Sequence, residues 1–90
     1  MKLNSTTLKK AESFLEDAGY VVRYEKGNFH SGYCILEDRK VVVINKYYET
    51  DAKVNTILEI ISNLKIDLGK LNQKSKDFYA KIAQLKLEDL

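Results

Sequence analysis

The chain has 90 residues, which allows one domain spanning 1–90 with a single, modest hydrophobic core. Its content of 44% hydrophobic and 31% charged residues is typical of a globular protein and excludes a disordered chain, and no apolar run approaches the ~20 residues that a membrane helix needs. A net charge of +2 is too small to indicate a polyanion partner. A lone cysteine excludes an internal disulfide, and the first residues contain no apolar signal segment, so we expect a cytoplasmic protein without a membrane partner.

A first helix is predicted from about Ser5 to Ala18. Asn4 or Ser5 can cap its start, because a short polar side chain there accepts a hydrogen bond from a free backbone N–H. Gly19 is suited to end the helix, since glycine readily adopts the left-handed conformation that follows many helices. The apolar stripe at helical spacing consists of Leu8, Ala11, Leu15 and Ala18, widened by Phe14.

Three strands should follow, covering about residues 20–26, 33–37 and 41–48. Gly27-Asn28, Ser31-Gly32 and the polar residues 37–40 indicate the turns between them. Such short connections predict an antiparallel meander, because parallel strands need longer crossovers. The third strand begins with the apolar run Val-Val-Val-Ile, so we expect it to be covered on both faces, by helices or by a partner.

A second helix is predicted to begin near Thr50 and to end at Asn63 or Gly69, and a third to run from about Asn72 to Leu85. The expected fold class is therefore α+β, with a three-stranded antiparallel meander in the order α-β-β-β-α-α. The C-terminal part is basic, because residues 65–86 contain six lysines against two aspartates. A solvated helix face is the simplest interpretation of this charge.

The chemistry-bearing residues are few. Cys34 and His30 are close enough in sequence to form a nucleophile and base, but no local signature accompanies them, and a small core residue is the simpler interpretation of the cysteine. One cysteine and one histidine cannot supply the four ligands of a structural zinc site. Neither a dinucleotide-binding nor a P-loop glycine pattern is present. We therefore predict a non-enzymatic protein with no cofactor and no metal.

A hairpin followed by a helix resembles the layout of minimal zinc metallopeptidases, which carry an H-E-x-x-H motif on that helix. The corresponding window begins at Leu58 and Glu59 and ends at Ser62, so both ligand histidines are replaced. Without them no metal can activate a water molecule. The resemblance implies an inactive relative, in which Glu59 is an exposed helix residue.

The helix–strands–helix order over residues 5–64 also resembles the double-stranded-RNA-binding domain. That family has a Gly-Pro-x-His-like loop after its first strand, of which this chain keeps Gly27 and His30. It also begins its second helix with a lysine-rich phosphate clamp, which is absent here because the helix opens with Thr50 and Asp51. Nucleic-acid binding is thus an alternative function, and its candidate contacts are Arg23, Lys26, Lys46, Lys74 and Lys81.

Tyrosines interleaved with basic residues are the clearest functional pattern. Aromatic side chains of this kind occur at protein interfaces, stack on nucleobases, or simply follow strand propensity. Together with the two-sided apolar third strand, they favour a protein-binding or assembly module, which we expect to be a homodimer or to bind another protein. The candidate interface residues are Tyr33, Val41, Val43 and Tyr47.

Three segments, residues 23–29, 31–34 and 41–46, resemble a family of small uncharacterised bacterial proteins of about this length. The resemblance covers most of the chain. It implies a bacterial source but carries no activity, cofactor or site residue.

Overall fold

The structure is a computed structural model that describes residues 1–26, 32–36 and 39–88. The predicted turn residues Gly27-Asn28, Ser31 and Glu37-Asp38 lie outside them, as does His30. The helices are α1, Ser5–Asp17; α2, Thr50–Asn63; a short 3-10 helix, Leu68–Lys70; and α3, Gln73–Glu88. The strands are β1, Tyr20–Glu25; β2, Gly32–Leu36; and β3, Arg39–Asn45.

Local chemistry explains where the helices begin and end. The Asn4 side chain accepts a hydrogen bond from the Thr7 backbone N–H at 3.0 Å, which confirms Asn4 as the cap of α1. Gly19 follows α1 with a φ of 92°, a left-handed conformation that is costly for residues with a Cβ atom. Asn72 caps α3 in the same way as Asn4 caps α1, by accepting from the Ser75 N–H at 2.9 Å.

The sheet has the spatial order β1-β3-β2, so β3 is its central strand. β1 runs parallel to β3, with Val21 opposite Val41. β2 runs antiparallel to β3, with Cys34 opposite Val41 on the other side. The strand that is apolar on both faces therefore occupies the position where both of its backbone edges are paired.

The predicted fold class, an antiparallel meander in the order α-β-β-β-α-α, is wrong because two of the strands are parallel. Short connections predict that successive strands reverse direction, but they do not determine which strands are neighbours. After β1 the chain places β2 on the far side of β3, so β1 and β3 become neighbours that point the same way. Burial of the Val-Val-Val-Ile run in the middle of the sheet favours this arrangement over a meander with β2 at the centre.

One face of the sheet packs against the helices. Tyr20, Val42 and Ile44 on this inner face join the buried apolar residues of α1 and α2 in a single core. Leu64 and Leu71, which flank the short helix, and Phe78 and Ile82 of α3 complete the core. None of the helices in the described part of the chain is long and apolar enough to cross a bilayer.

The helix α3 packs alongside α1. The Phe14 ring stacks on Tyr79 with centroids 5.7 Å apart and nearly parallel planes, and it meets Phe78 at 6.0 Å with a tilt of 44°. The Asn72 N–H, at the start of α3, donates to the Asp17 carboxylate at the end of α1 at 2.9 Å. The two helices therefore run antiparallel, with an aromatic cluster between them.

Candidate functional site

The face of the sheet that points away from the core carries a small apolar patch. We call Val21, Val41 and Val43 the outer valine patch. These residues alternate with the inner residues of the same strands and do not belong to the main core. Val41 is only 8% exposed within the single chain, whereas Val21 beside it is 53% exposed and Val43 is half-buried. The patch is therefore buried at Val41, on the central strand, and exposed to solvent at Val21, on β1.

The structure brings together two of the four predicted interface residues. Val41 and Val43 lie on this outer face. Tyr47 lies in the turn after β3, where its backbone N–H donates to the Asn45 side chain at 3.0 Å and its ring is exposed. Tyr33 takes the register position opposite Val42 rather than one opposite Val41 or Val43. The candidate surface is thus the patch itself, and Tyr47 lies beyond the end of β3.

A pair of opposite charges borders the outer valine patch on β1. Arg23 Nε lies 3.9 Å from Glu25 Oε1, and both side chains are exposed. Arg23 stands opposite Val43 in the register, and Glu25 stands opposite Asn45. An exposed pair of this kind contributes little to the stability of the monomer, because water and salt screen it. Its charges remain available to a partner.

The five cations proposed for nucleic-acid binding do not form one surface. Arg23 lies on the outer face of the sheet, and Lys26 and Lys46 follow the ends of β1 and β3, where the Lys46 N–H donates to the Glu25 carbonyl at 2.9 Å. Lys74 and Lys81 lie on α3, which packs on α1 and α2 and not on the outer face. A strand of nucleic acid following the sheet face would not reach both groups.

A groove of about 650 Å³ runs between α1 and α3. Lys9 and Lys10 of α1 and Lys74 and Lys81 of α3 line it. Phe14 and Phe78 contribute to its floor, and the hydroxyl-bearing residues Thr6, Thr7, Ser13 and Ser75 contribute polar groups. The basic character of α3 follows from its sequence, but the sequence does not place the lysines of α1 beside it.

A polar cluster joins α1, β1 and α2 on the inner side of the sheet. The Tyr24 hydroxyl donates a hydrogen bond to the Glu12 carboxylate, and the Lys53 ammonium lies 5.1 Å from the centre of the Tyr24 ring. Burial raises the pKa of the Tyr24 phenol, and the hydrogen bond and negative charge of Glu12 raise that pKa further. The cluster ties three elements together with the phenol in its protonated form.

Replacing Tyr24 with phenylalanine is expected to lower the free energy of unfolding by about 0.5–1.5 kcal/mol at pH 7, because Glu12 loses its donor while remaining half-buried. The folded-state pKa of Tyr24 lies above its ordinary value of 10.0. The stabilisation is therefore complete below about pH 10 and is lost as the pH rises from there towards the raised folded-state pKa. Urea denaturation from pH 7 to 11 should show a steeper loss of stability for the original chain than for Tyr24→Phe.

The control for this measurement is Tyr47→Phe, which removes the hydroxyl of an exposed tyrosine at the edge of the sheet. We expect it to change the free energy of unfolding by less than about 0.5 kcal/mol. If Tyr24→Phe and the original chain lose stability in parallel above pH 10, the inferred coupling between Tyr24 and Glu12 is wrong.

Residues for metal or covalent chemistry do not gather in the described part of the chain. No group of three His, Cys, Asp or Glu side chains that could hold a metal ion occurs there. Cys34 is placed in β2 opposite Val41, while its proposed base His30 lies outside the described residues. In the window compared with the metallopeptidases, Leu58 packs against the core and the Ser62 hydroxyl donates to the Glu59 carbonyl at 2.7 Å.

No protein-family model matches this chain, and neither a curated protein nor a solved structure matches it. The three family resemblances drawn from the sequence stay predictions.

Proposed function

We propose that this protein is a non-enzymatic assembly module that forms a homodimer through the outer face of its sheet. The observation that carries the proposal is the half-exposed Val21 opposite Val41, on a face that the main core leaves out. A second copy would remove these apolar side chains from water, at roughly 25 cal/mol for each Å² buried. Val41 is already buried within the single chain, so Val21 and Val43 would supply most of the free energy gained on dimerisation.

The size of the face limits the strength of such a dimer. Three strands about 4.8 Å apart and about six residues long, at about 3.3 Å per residue, present a face of roughly 300 Å². A stable interface usually buries about 800 Å² on each partner. The sheet face alone falls short of this. We therefore expect a weak dimer with a dissociation constant in the micromolar range, about 10 to 300 µM.

A second copy of this chain suits the face better than an apolar partner, because the charges beside the patch can pair with themselves. A two-fold dimer brings residue i of one subunit to residue j of the other and j to i. Arg23 of one copy can then face Glu25 of its twin, and the reverse pair forms at the same time. The exposed ion pair within one subunit is thereby exchanged for two pairs between subunits.

Val21→Lys is the decisive variant for the dimer. Val21 is 53% exposed, so the monomer should tolerate lysine, but in a dimer two added ammonium groups would approach each other and remain poorly solvated. Light scattering coupled to size exclusion, over loading concentrations of about 10 to 300 µM, should show the mass of the original chain rising with concentration. For Val21→Lys we expect the dissociation constant to rise at least about tenfold.

The matched control is Leu68→Lys. Leu68 is a similarly exposed aliphatic residue, at 49%, but it lies in the short helix before α3 rather than on the sheet. It should leave the association unchanged while adding the same charge. A chain that stays monomeric throughout the concentration series refutes the homodimer, and equal effects of the two substitutions refute its location on the outer sheet face.

A further inference from the structure

The groove between α1 and α3 combines positive charge with buried hydroxyl groups. Lys9 and Lys10 stand on its α1 side, and Lys74 and Lys81 stand on its α3 side. The helices run antiparallel and are held together beneath the groove by the stacked rings of Phe14 and Tyr79. The lysines are therefore carried by two rigid elements rather than by loops, and the groove volume of about 650 Å³ is within the range of small-molecule sites.

The four lysines have no ion-pair partner among the residues that the structure describes, where the Arg23–Glu25 pair is the one salt bridge. Among the described residues that line the groove, Asp77 is the one acidic residue, and the Gln73 side-chain amide donates to its carboxylate at 2.9 Å. The four positive charges of the groove therefore exceed the one negative charge that the described residues place on its walls. Like charges held close together repel each other, and an anion between them removes that cost.

Two hydroxyl side chains add a second and independent feature. Thr7 is 7% exposed and Ser75 is 6% exposed, and both line the groove. Their backbone N–H groups bond to the caps Asn4 and Asn72, but within the described part of the chain neither hydroxyl has a hydrogen-bond partner. Every fully buried polar side-chain atom described has a partner, so these hydroxyls reach the accessible space of the groove. They are donors available to a bound ligand.

We propose that this groove binds a small molecule bearing phosphate, with at least two negative charges. Four ammonium groups exceed what one carboxylate can neutralise, and lysine is a common point-charge ligand of phosphate. Because the helices run antiparallel, Ser75 and Thr7 lie towards opposite ends of the groove, so each can donate to a different group of an extended ligand while the lysines compensate the phosphate charge. The groove lies in the helical layer, away from the outer valine patch, so this site is independent of the proposed dimer interface.

The test is a titration of the ¹⁵N-labelled full chain with inorganic triphosphate and with a nucleoside triphosphate, followed by amide chemical shifts at low salt and at about 0.15 M salt. The largest shifts should fall on the residues that line the groove along α1 and α3, including Lys10 and Lys81 between its two ends. A higher affinity for the nucleoside triphosphate than for inorganic triphosphate would show that the organic part also contacts the groove. Equal affinity would assign binding to the phosphate alone, and either result supports the site.

Two double variants with the same change in net charge distinguish specific binding in the groove from non-specific electrostatic attraction. Lys74→Ala/Lys81→Ala removes two lysines of the groove, whereas Lys65→Ala/Lys70→Ala removes two exposed lysines outside it. The groove variant should lose at least about tenfold in affinity, and the control should change less than about twofold. Ser75→Ala, which retains the backbone bond to the cap, should weaken binding without altering the net charge.

Three results overturn the proposal. One is the absence of any saturable shift with either triphosphate at low salt. Another is an equal loss of affinity in both double variants, which would show general charge attraction. The third is markedly tighter binding of a single-stranded RNA, lost in the same groove variant, which would assign the groove to nucleic acid instead. Circular dichroism on each variant confirms that the fold is retained before the affinities are compared.

Discussion

Phe14→Ala is expected to lower the free energy of unfolding by about 3–5 kcal/mol. Phe14 is buried in the core, and its ring contacts both Phe78 and Tyr79. Alanine leaves a cavity where α1 and α3 meet, and the rigid helices can collapse into it only in part. A 90-residue domain has a total stability of about 5–13 kcal/mol, so this single change removes a large share of it.

Urea denaturation followed by circular dichroism measures the effect, and Phe14→Leu is the control. Leucine keeps most of the apolar volume but loses the stacking on Tyr79, so its cost should be about 1–2 kcal/mol. If alanine costs no more than leucine, Phe14 does not organise the contact between α1 and α3. The groove above that contact would then lack the rigid walls that its proposed ligand requires.

The helices were predictable because their signals are local. Asn4 is a cap whose oxygen meets an N–H three residues later, and Gly19 ends α1 through its own backbone conformation. The end of α2 at Asn63 likewise agrees with one of its two predicted ends. The sheet order was not predictable in this way, because the pairing of β1 with β3 joins residues about twenty positions apart. Turn chemistry between them determines direction but does not choose neighbours.

The apolar run of β3 predicts the order of the strands better than the turns do. A strand that is apolar on both faces is typical of a central position, and β3 is central. That pattern predicts cover for Val41 and Val43, whereas the short turns favoured a meander, which was the predicted order. The pattern alone would have supported the observed order β1-β3-β2.

The basic groove was missed for a similar reason. Lys74 and Lys81 are seven residues apart and therefore share a helix face, which the spacing does show. Lys9 and Lys10 are more than sixty residues earlier, and only the antiparallel packing of α1 on α3 brings them to the same groove. Thr7 and Ser75 each stand three residues after a capping asparagine, but the two helix starts lie at opposite ends of the groove, so this local pattern does not indicate a shared site.

The two faces of β3 should respond differently to the same substitution. Val42→Ala is expected to cost about 2–3 kcal/mol, because Val42 is fully buried in the main core and the removed methyl groups leave a cavity. Val43→Ala, one residue further along the same strand, should cost less than about 1 kcal/mol, because Val43 lies half-buried on the outer face. The pair is matched in chemistry and in strand propensity, so the difference measures burial.

The same comparison can be repeated at several protein concentrations. If the proposed dimer forms through the outer face, raising the protein concentration stabilises the original chain by mass action. The cost of Val43→Ala should therefore grow with concentration, whereas the cost of Val42→Ala should stay constant because the inner face belongs to each subunit. Equal costs for both substitutions at low concentration would contradict the alternation of inner and outer residues along β3. A cost of Val43→Ala that does not depend on concentration would exclude this residue from the dimer interface.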